Sequence, residues 1–294
     1  MTMALVHYGY GDLGTADIRY EAIASPIAGS ADVVVEVLES PINPSDINVI
    51  EGKYVFQPPL PAVLGREGVG RVVTTGDRVI SMAPHHLHGF WGTHTVAPGT
   101  EWWVVPDPIP TEVAAHLSIN GLTAYLLLTE FVVLHPGDIV VQTAPNSSVG
   151  RWVRYFAAQM HLRCVSIDRD GGALDIPGIK LGLNSVGGAS VAALSKSVVA
   201  GGTIVTYGAM SKESPHISNS ALIFKEQIFR GFLRSAWVAR HGLQITASRF
   251  NDIAFILMKT PFPTVPRTIF TLADYRSAFA HVASGKPGKA VFGF

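Results

Sequence analysis

The sequence predicts an α/β chain in two parts, a β-rich domain and a domain built on an open parallel sheet. Three observations carry the prediction. Residues 1–117 read as short strands and turns. From residue 139 onward strands and helices alternate, the pattern of βαβ units. The run Ile139-Val140-Val141 is apolar without alternation, as a strand buried on both faces of a parallel sheet is.

In order, Val33–Leu38 is a strand, and Ala62–Val73 sets Gly65, Gly68 and Gly70 among β-formers. Prolines 41, 44, 58, 59 and 61 bracket a segment read as an irregular loop of the functional kind. Thr111-Glu112 caps a helix through Leu117, and Asn120–Val133 reads as a long helix. Then come strand 139–141, helix 150–160, strands 162–167 and 181–186, helix 189–199, and strands 203–207 and 228–233. A strand over Arg267–Phe270, a helix over Ala273–Ala283 and a last strand over Lys289–Phe292 return to the first domain. The expected division is therefore 1–117 with 264–294, and 118–263.

Composition sets bounds. The 294 residues are 48% hydrophobic and only 15% charged, which describes a compact chain with much buried strand rather than a disordered one. Formal charge is zero, so nothing points to nucleic acid or an anionic membrane as partner. No apolar run reaches the ~18 residues of a membrane span. The first residues, MTMALVHYGYGDLG, form neither a charged-then-apolar leader nor an Arg-rich one. The cytoplasm is the expected location, or the mitochondrial matrix if a leader was removed. The single Cys164 excludes an intrachain disulfide and is expected in a buried strand.

Chemistry concentrates at a few places. After the strand at 139–141, the polar turn Gln142–Ser148 leads into apolar positions Val153, Phe156, Ala157 and Met160 at helical spacing. A strand, a polar turn and a helix N-terminus together make a phosphate site. A G-x-G-x-x-G fingerprint ending on Gly150 has Pro145 and Ser147 in place of its first two glycines. The local pattern therefore fits a capped βα turn as well as a dinucleotide site. Tyr54, between Gly52-Lys53 and later prolines, is either a proton donor to an oxyanion or enolate, or a ring packed on prolines. Asp46 and Glu67 have no partner carboxylate at a glycosidase spacing. His85, His86, His88 and His94 lack the accompanying Cys or acidic ligands of a zinc site and read as a solvated loop. Asp168-Arg169-Asp170 ends the second parallel strand, where an acid meets a free ribose 2′-OH and an arginine a 2′-phosphate; both types are present. Tyr207–Ser211 follows a strand, at the end where open sheets bind ligands.

Together these pieces resemble the zinc-free 2-enoyl thioester (enoyl-CoA/acyl-carrier-protein) reductase branch of the medium-chain dehydrogenase/reductase superfamily. The matching stretches are Asn43–Asn48 with Gly52-Lys53-Tyr54, Gly65–Val73, Leu117–Phe131, His135–Val153, Leu183–Gly188, Gly201–Lys212 and Leu222–Phe232, in the family's order. The resemblance implies a Rossmann-type NADP-binding domain (118–263, shortened by internal deletions) and a GroES-like catalytic domain. It places the catalytic tyrosine on Tyr54. It places cofactor contacts on Asn120, Asn146, Ser147, Ser148, Val149, Tyr207, Gly208, Ala209, Met210, Phe232, Leu233 and Lys289. The 2′-phosphate reader falls on Arg169, with Asp170 beside it. The implied reaction is NADPH-dependent reduction of a trans-2-enoyl thioester without zinc, on CoA or acyl-carrier protein, by a homodimer.

Departures accompany the match. The connection from Arg71 to Asp77 is short, and a brief stretch from Asp170 to Leu181 replaces a helix, a strand and a further helix. A second arginine often found after the Arg-Asp pair is Gly171, and Gly208-Ala209 replaces Gly-Gly. Two alternatives remain: a quinone or small-enone reductase on the same frame, and a trimmed, non-catalytic nucleotide-binding homologue.

Overall fold

The computed structural model describes residues 1–85, 88–167, 172–263, 266–286 and 288–294. The chain forms two compact units, Met1–Ile119 with Val238–Phe294, and Asn120–Trp237.

The first passage opens with β1 (Thr2–Gly9), β2 (Asp17–Ile23) and β3 (Asp32–Pro41). A short helix α1 (Pro44–Ile50) follows, where the prolines had predicted only irregular chain. Pro44 is at the start of that helix, where its missing N–H costs nothing. Strands β4 (Ala62–Val63), β5 (Val69–Val72), β6 (Arg78–Ser81), β7 (His94–Pro98) and β8 (Trp102–Val104) complete the β-rich part. Helix α2 covers Thr111–Ala114, capped by Pro110 rather than by Thr111, and stops short of Leu117. Residues Leu117–Gly121 form a π-helical turn.

The second unit begins inside that turn. Helix α3 (Leu122–Thr129) is shorter than the 120–133 predicted: the π turn takes Asn120 and Gly121, and the helix ends at Thr129 with Glu130 as its C-cap. Strand β9 (Ile139–Thr143), helix α4 (Ser148–Gln159), β10 (Arg163–Ile167), β11 (Ile179–Asn184), α5 (Ala189–Ser197), β12 (Thr203–Thr206), α6 (Asn219–Ile223) and β13 (Ile228–Gly231) follow. The strands make one sheet in the order β10-β9-β11-β12-β13, and every pairing is parallel. Val140 and Val141 are wholly buried, as the unalternating run required. Helix α4 turns Trp152, Val153, Phe156 and Ala157 inward, and Phe156 meets Tyr125 of α3 edge-on at 5.6 Å.

A doubly wound sheet of this kind usually has a further strand outside β10. Here, among the described residues, β10 is the edge, and the next strand in the chain, β11, pairs on the far side of β9. Cys164 lies on this edge strand; it is partly rather than fully buried, and burial pushes its thiol up to about 11.

Helix α7 (Arg234–Lys259), absent from the sequence reading, carries the chain from one unit to the other. Its backbone breaks at Gly242 (φ 82°, ψ 169°), so two helical segments meet there and the apolar period is interrupted. In the first unit Trp103 donates to Asn251 at 3.0 Å and packs on Phe250 at 5.3 Å, fixing the second segment. Strand β14 (Arg267–Phe270), helix α8 (Tyr275–Ala283) and β15 (Lys289–Gly293) then close the sheet β14-β15-β3-β5-β6-β8, with β7 also on β3. Trp91, fully buried between Phe279 and Phe292, centres this unit's core. Among the described residues no helix is long and apolar enough to cross a membrane.

Candidate functional site

In the first unit a buried polar network joins residues far apart in sequence. Lys289 on β15 donates to Asn43 Oδ1 at 2.7 Å, and Asn43 Nδ2 donates to Glu67 Oε2 at 2.7 Å. The other Glu67 oxygen accepts the amide of Ile119 at 2.5 Å, inside the π turn, and Ser40 Oγ donates to the Glu67 carbonyl. Asp46 reaches back to the Asn43 amide (2.6 Å), as a first-turn acid does at a helix start. Its second oxygen takes the Arg66 amide at 2.9 Å. Burial raises the Asp46 carboxyl above its usual range, opposed by the Arg66 charge. Burial also takes the Lys289 ammonium down to about 8, against the pull of Glu67 and Asp46. His116, just before the π turn, is held down to about 3 by burial and then by the Lys289 and Arg267 charges, so it is neutral.

Tyr54 stands beside this network. Its amide and that of Lys53 both donate to Asn48 O at the end of α1, and its ring packs on the core around Trp91. The Arg66 guanidinium lies over its other face, 4.0 Å from the centroid. The Tyr54 hydroxyl makes no hydrogen bond to another described residue, which leaves it available to a ligand.

The histidine loop behaves differently. His85 stacks on Phe56 at 4.1 Å, His94 Nδ1 lies 3.2 Å from Thr93 Oγ1, and His86 lies outside the described residues. Among the described residues no group of three His, Cys, Asp or Glu is placed to hold a metal ion.

In the second unit the candidates gather along the carboxyl edge of the parallel sheet. Asn146, Ser147, Ser148 and Val149 follow β9; Tyr207, Gly208, Ala209 and Met210 follow β12; Phe232 and Leu233 follow β13. The Tyr207 amide donates to Asn184 O, the Phe232 amide to Thr206 O, and Ser185 N to Thr143 Oγ1 at 3.0 Å, which ties the strand ends together. Asn184, which the sequence reading passed over, accepts from the amides of Val186 and Gly187 and from Ser190 Oγ. Burial pushes the Tyr207 phenol up to about 12, partly offset by Ser185. Asn120 is buried within the π turn. Lys289 belongs to the first unit's network. Arg169 and Asp170 lie outside the described residues.

Whether this edge suits a dinucleotide is testable on its turn. Ser147 caps α4 by accepting Gly150 N at 3.1 Å, and the amides of Ser148 and Val149 precede any intrahelical acceptor. Those two donors and the positive end of a helix this long are what a pyrophosphate needs. A Cβ on Gly150 would come within 2.5 Å of Ala144 O and 3.0 Å of Pro145, and one on Gly208 within 2.7 Å of Ser185 O. Backbone at both places approaches too closely for a side chain, so Gly150 keeps the close-packing role of a fingerprint's last glycine although the first two are missing. Gly150→Ala is therefore expected to lower unfolding free energy by about 1–3 kcal/mol in urea titration. An unchanged midpoint would show that the turn can yield.

Comparisons with known proteins fall on both units. The alcohol dehydrogenase GroES-like domain family matches residues 29–86. The chain is 35% identical over 310 residues to human mitochondrial enoyl-[acyl-carrier-protein] reductase, covering 92% of this chain and 79% of that protein. With the Bos taurus protein of the same name it is 37% identical, covering 81% and 74%. Among solved structures, the mitochondrial 2-enoyl thioester reductase Etr1p/Etr2p heterodimer from Candida tropicalis superposes with a TM-score of 0.84 at 24% identity, covering 100% of this chain and 99% of that one. A putative NADPH:quinone reductase from Bacillus thuringiensis superposes equally well, at 0.84 and 23% identity with the same coverage, so likeness of fold alone does not choose between the two activities.

Proposed function

Since the chain belongs to the mitochondrial enoyl-[acyl-carrier-protein] reductase family, a zinc-free branch of the medium-chain dehydrogenase/reductases, we propose that it reduces trans-2-enoyl thioesters with NADPH. The observation that carries the reading is the carboxyl edge of the parallel sheet, where the α4 amides and the Tyr207–Met210 and Phe232–Leu233 segments line up. A related fold, Etr1p, has been solved with NADP and crotonyl-CoA, which supports this cofactor and substrate class here.

NADPH, when bound, supplies a hydride from C4 of its nicotinamide to Cβ of the enoyl group. The chain's residues do the rest. Ser148 and Val149 amides hold the pyrophosphate, with Asn146 and Ser147 beside them. Tyr207, Gly208, Ala209, Met210, Phe232, Leu233 and Asn120 shape the nicotinamide side, Lys289 is a basic cofactor contact, and Arg169 reads the 2′-phosphate with Asp170 next to it. Negative charge builds on the thioester oxygen and Cα, and Tyr54 stabilises that enolate or gives Cα its proton. Exposed Ile228 on edge strand β13, with Ile223 and Phe224, supports a homodimer through that edge. A mitochondrial location and an acyl-carrier-protein substrate are in keeping with the named relatives.

The test is NADPH oxidation at 340 nm with a crotonyl thioester, set against a quinone acceptor. Turnover with the thioester that exceeds the quinone rate is the expected result. The reverse preference favours the quinone reading. NADPH binding without turnover on either acceptor favours a nucleotide-binding homologue, a reading in keeping with β10 ending the sheet among the described residues.

A further inference from the structure

We propose that Arg66 is the positioning residue for the Tyr54 phenol: it clamps the ring by its face and offsets the charge left on the oxygen when the proton goes. The inference rests on the reading of Tyr54 as proton donor.

The geometry is over-determined from both sides. Gly65, directly before Arg66, has φ +96°, and a Cβ there would come within 2.5 Å of the Trp91 ring, so the chain turns hard against the core at this point. The Arg66 amide is then pinned to buried Asp46 at 2.9 Å. With its backbone fixed at both places, the side chain reaches the Tyr54 ring, and the guanidinium carbon stops 4.0 Å from the centroid. Tyr54 is equally constrained. Its amide donates to Asn48 O at 3.0 Å, its carbonyl accepts from Gln57 Nε2 at 3.1 Å, and its ring packs on the core. The phenol therefore lies between apolar side chains and a planar cation, with its hydroxyl uncommitted. Arg66 also lines a small cleft with Asp46, Phe56, Pro58 and His85.

Chemistry gives the contact its purpose. In the proposed step the Tyr54 O–H bond breaks and a C–H bond forms at Cα of the enolate. The O–H electron pair stays on the phenol oxygen, and water returns the proton after product leaves. NADPH is the reductant and ends as NADP+. A guanidinium stays protonated throughout and is more weakly hydrated than an ammonium, so it can lie on a ring face without losing its charge. A lysine at this position keeps the charge but loses the plane. A methionine keeps the bulk and loses both.

The experiment uses the full-length chain with NADPH and a crotonyl thioester, and compares Arg66→Lys, Arg66→Met, Tyr54→Phe and the Arg66→Met/Tyr54→Phe double variant. Arg66→Met is expected to lower kcat about 10–100-fold, to leave the KM for NADPH within twofold, and to displace the alkaline limb of the kcat–pH profile. Arg66→Lys should recover part of kcat, and the double variant should be no slower than Tyr54→Phe alone. Equal kcat and profile for Arg66→Met and the wild type would overturn the proposal, as would an additive loss in the double variant. A wild type without thioester turnover, or one indifferent to Tyr54→Phe, overturns the functional reading instead. Active wild type, a slow Tyr54→Phe and a silent Arg66→Met overturn the Arg66 assignment alone.

Discussion

Tyr54→Phe is expected to lower kcat for crotonyl-thioester reduction by one to three orders of magnitude while leaving the protein folded. The range follows from what a positioned acid contributes, ~10²–10⁴-fold, less the share that water recovers. Stability should hardly move, within about 0.5 kcal/mol. The ring, which packs on the core around Trp91 and beneath Arg66, survives the change. Only a hydroxyl without a described hydrogen-bond partner is lost. KM for NADPH should stay within a few-fold, because the α4 amides are untouched. Steady-state kinetics read all three quantities. A variant as fast as the wild type places the proton donor elsewhere, with solvent the first alternative.

The parallel sheet was legible because its strands are short apolar runs bounded by polar turns. Ile139–Val141 lost only two residues at its end, and the β12 and β13 ranges were right to within two residues. Helices were harder. Pro44 reads as a breaker in isolation, yet Asn43-Pro44-Ser45-Asp46 is also a helix start, and the second meaning won. Gly242 interrupts the apolar period across Arg234–Lys259, so no single stripe announces that helix. Within the site, the Ser147 cap and Gly150 follow from local pattern. The Asn43–Glu67–Lys289 chain does not: residues 43 and 289 touch across the closing of a sheet, and sequence spacing carries no trace of it. Arg66 was hidden for the same reason. Its meaning lies in a ring twelve positions earlier that meets it only once Gly65 has turned the chain.

The second large effect is on stability in acid, and it concerns His116. Its side chain is buried, its Nδ1 finds no partner among the described residues, and Lys289 and Arg267 add positive charge nearby. The folded chain therefore holds this imidazole neutral down to about pH 3, whereas in the unfolded chain it takes a proton near 6.5. Between those values the unfolded state binds the extra proton, so stability falls as pH falls. At 1.36 kcal/mol for each pH unit of separation, the loss reaches about 3 kcal/mol by pH 4. Asp46 and Glu39, both raised by burial, titrate with the opposite sign and soften the net slope. His116→Phe removes the titrating ring while filling most of its volume, so its urea midpoint should decline less between pH 6.5 and 4 than the wild type's. Parallel declines would mean that the imidazole is already charged in the folded chain or that it exchanges protons through local opening. Either outcome would make the turn bearing Asn120, which follows His116 directly, less rigid than its burial implies.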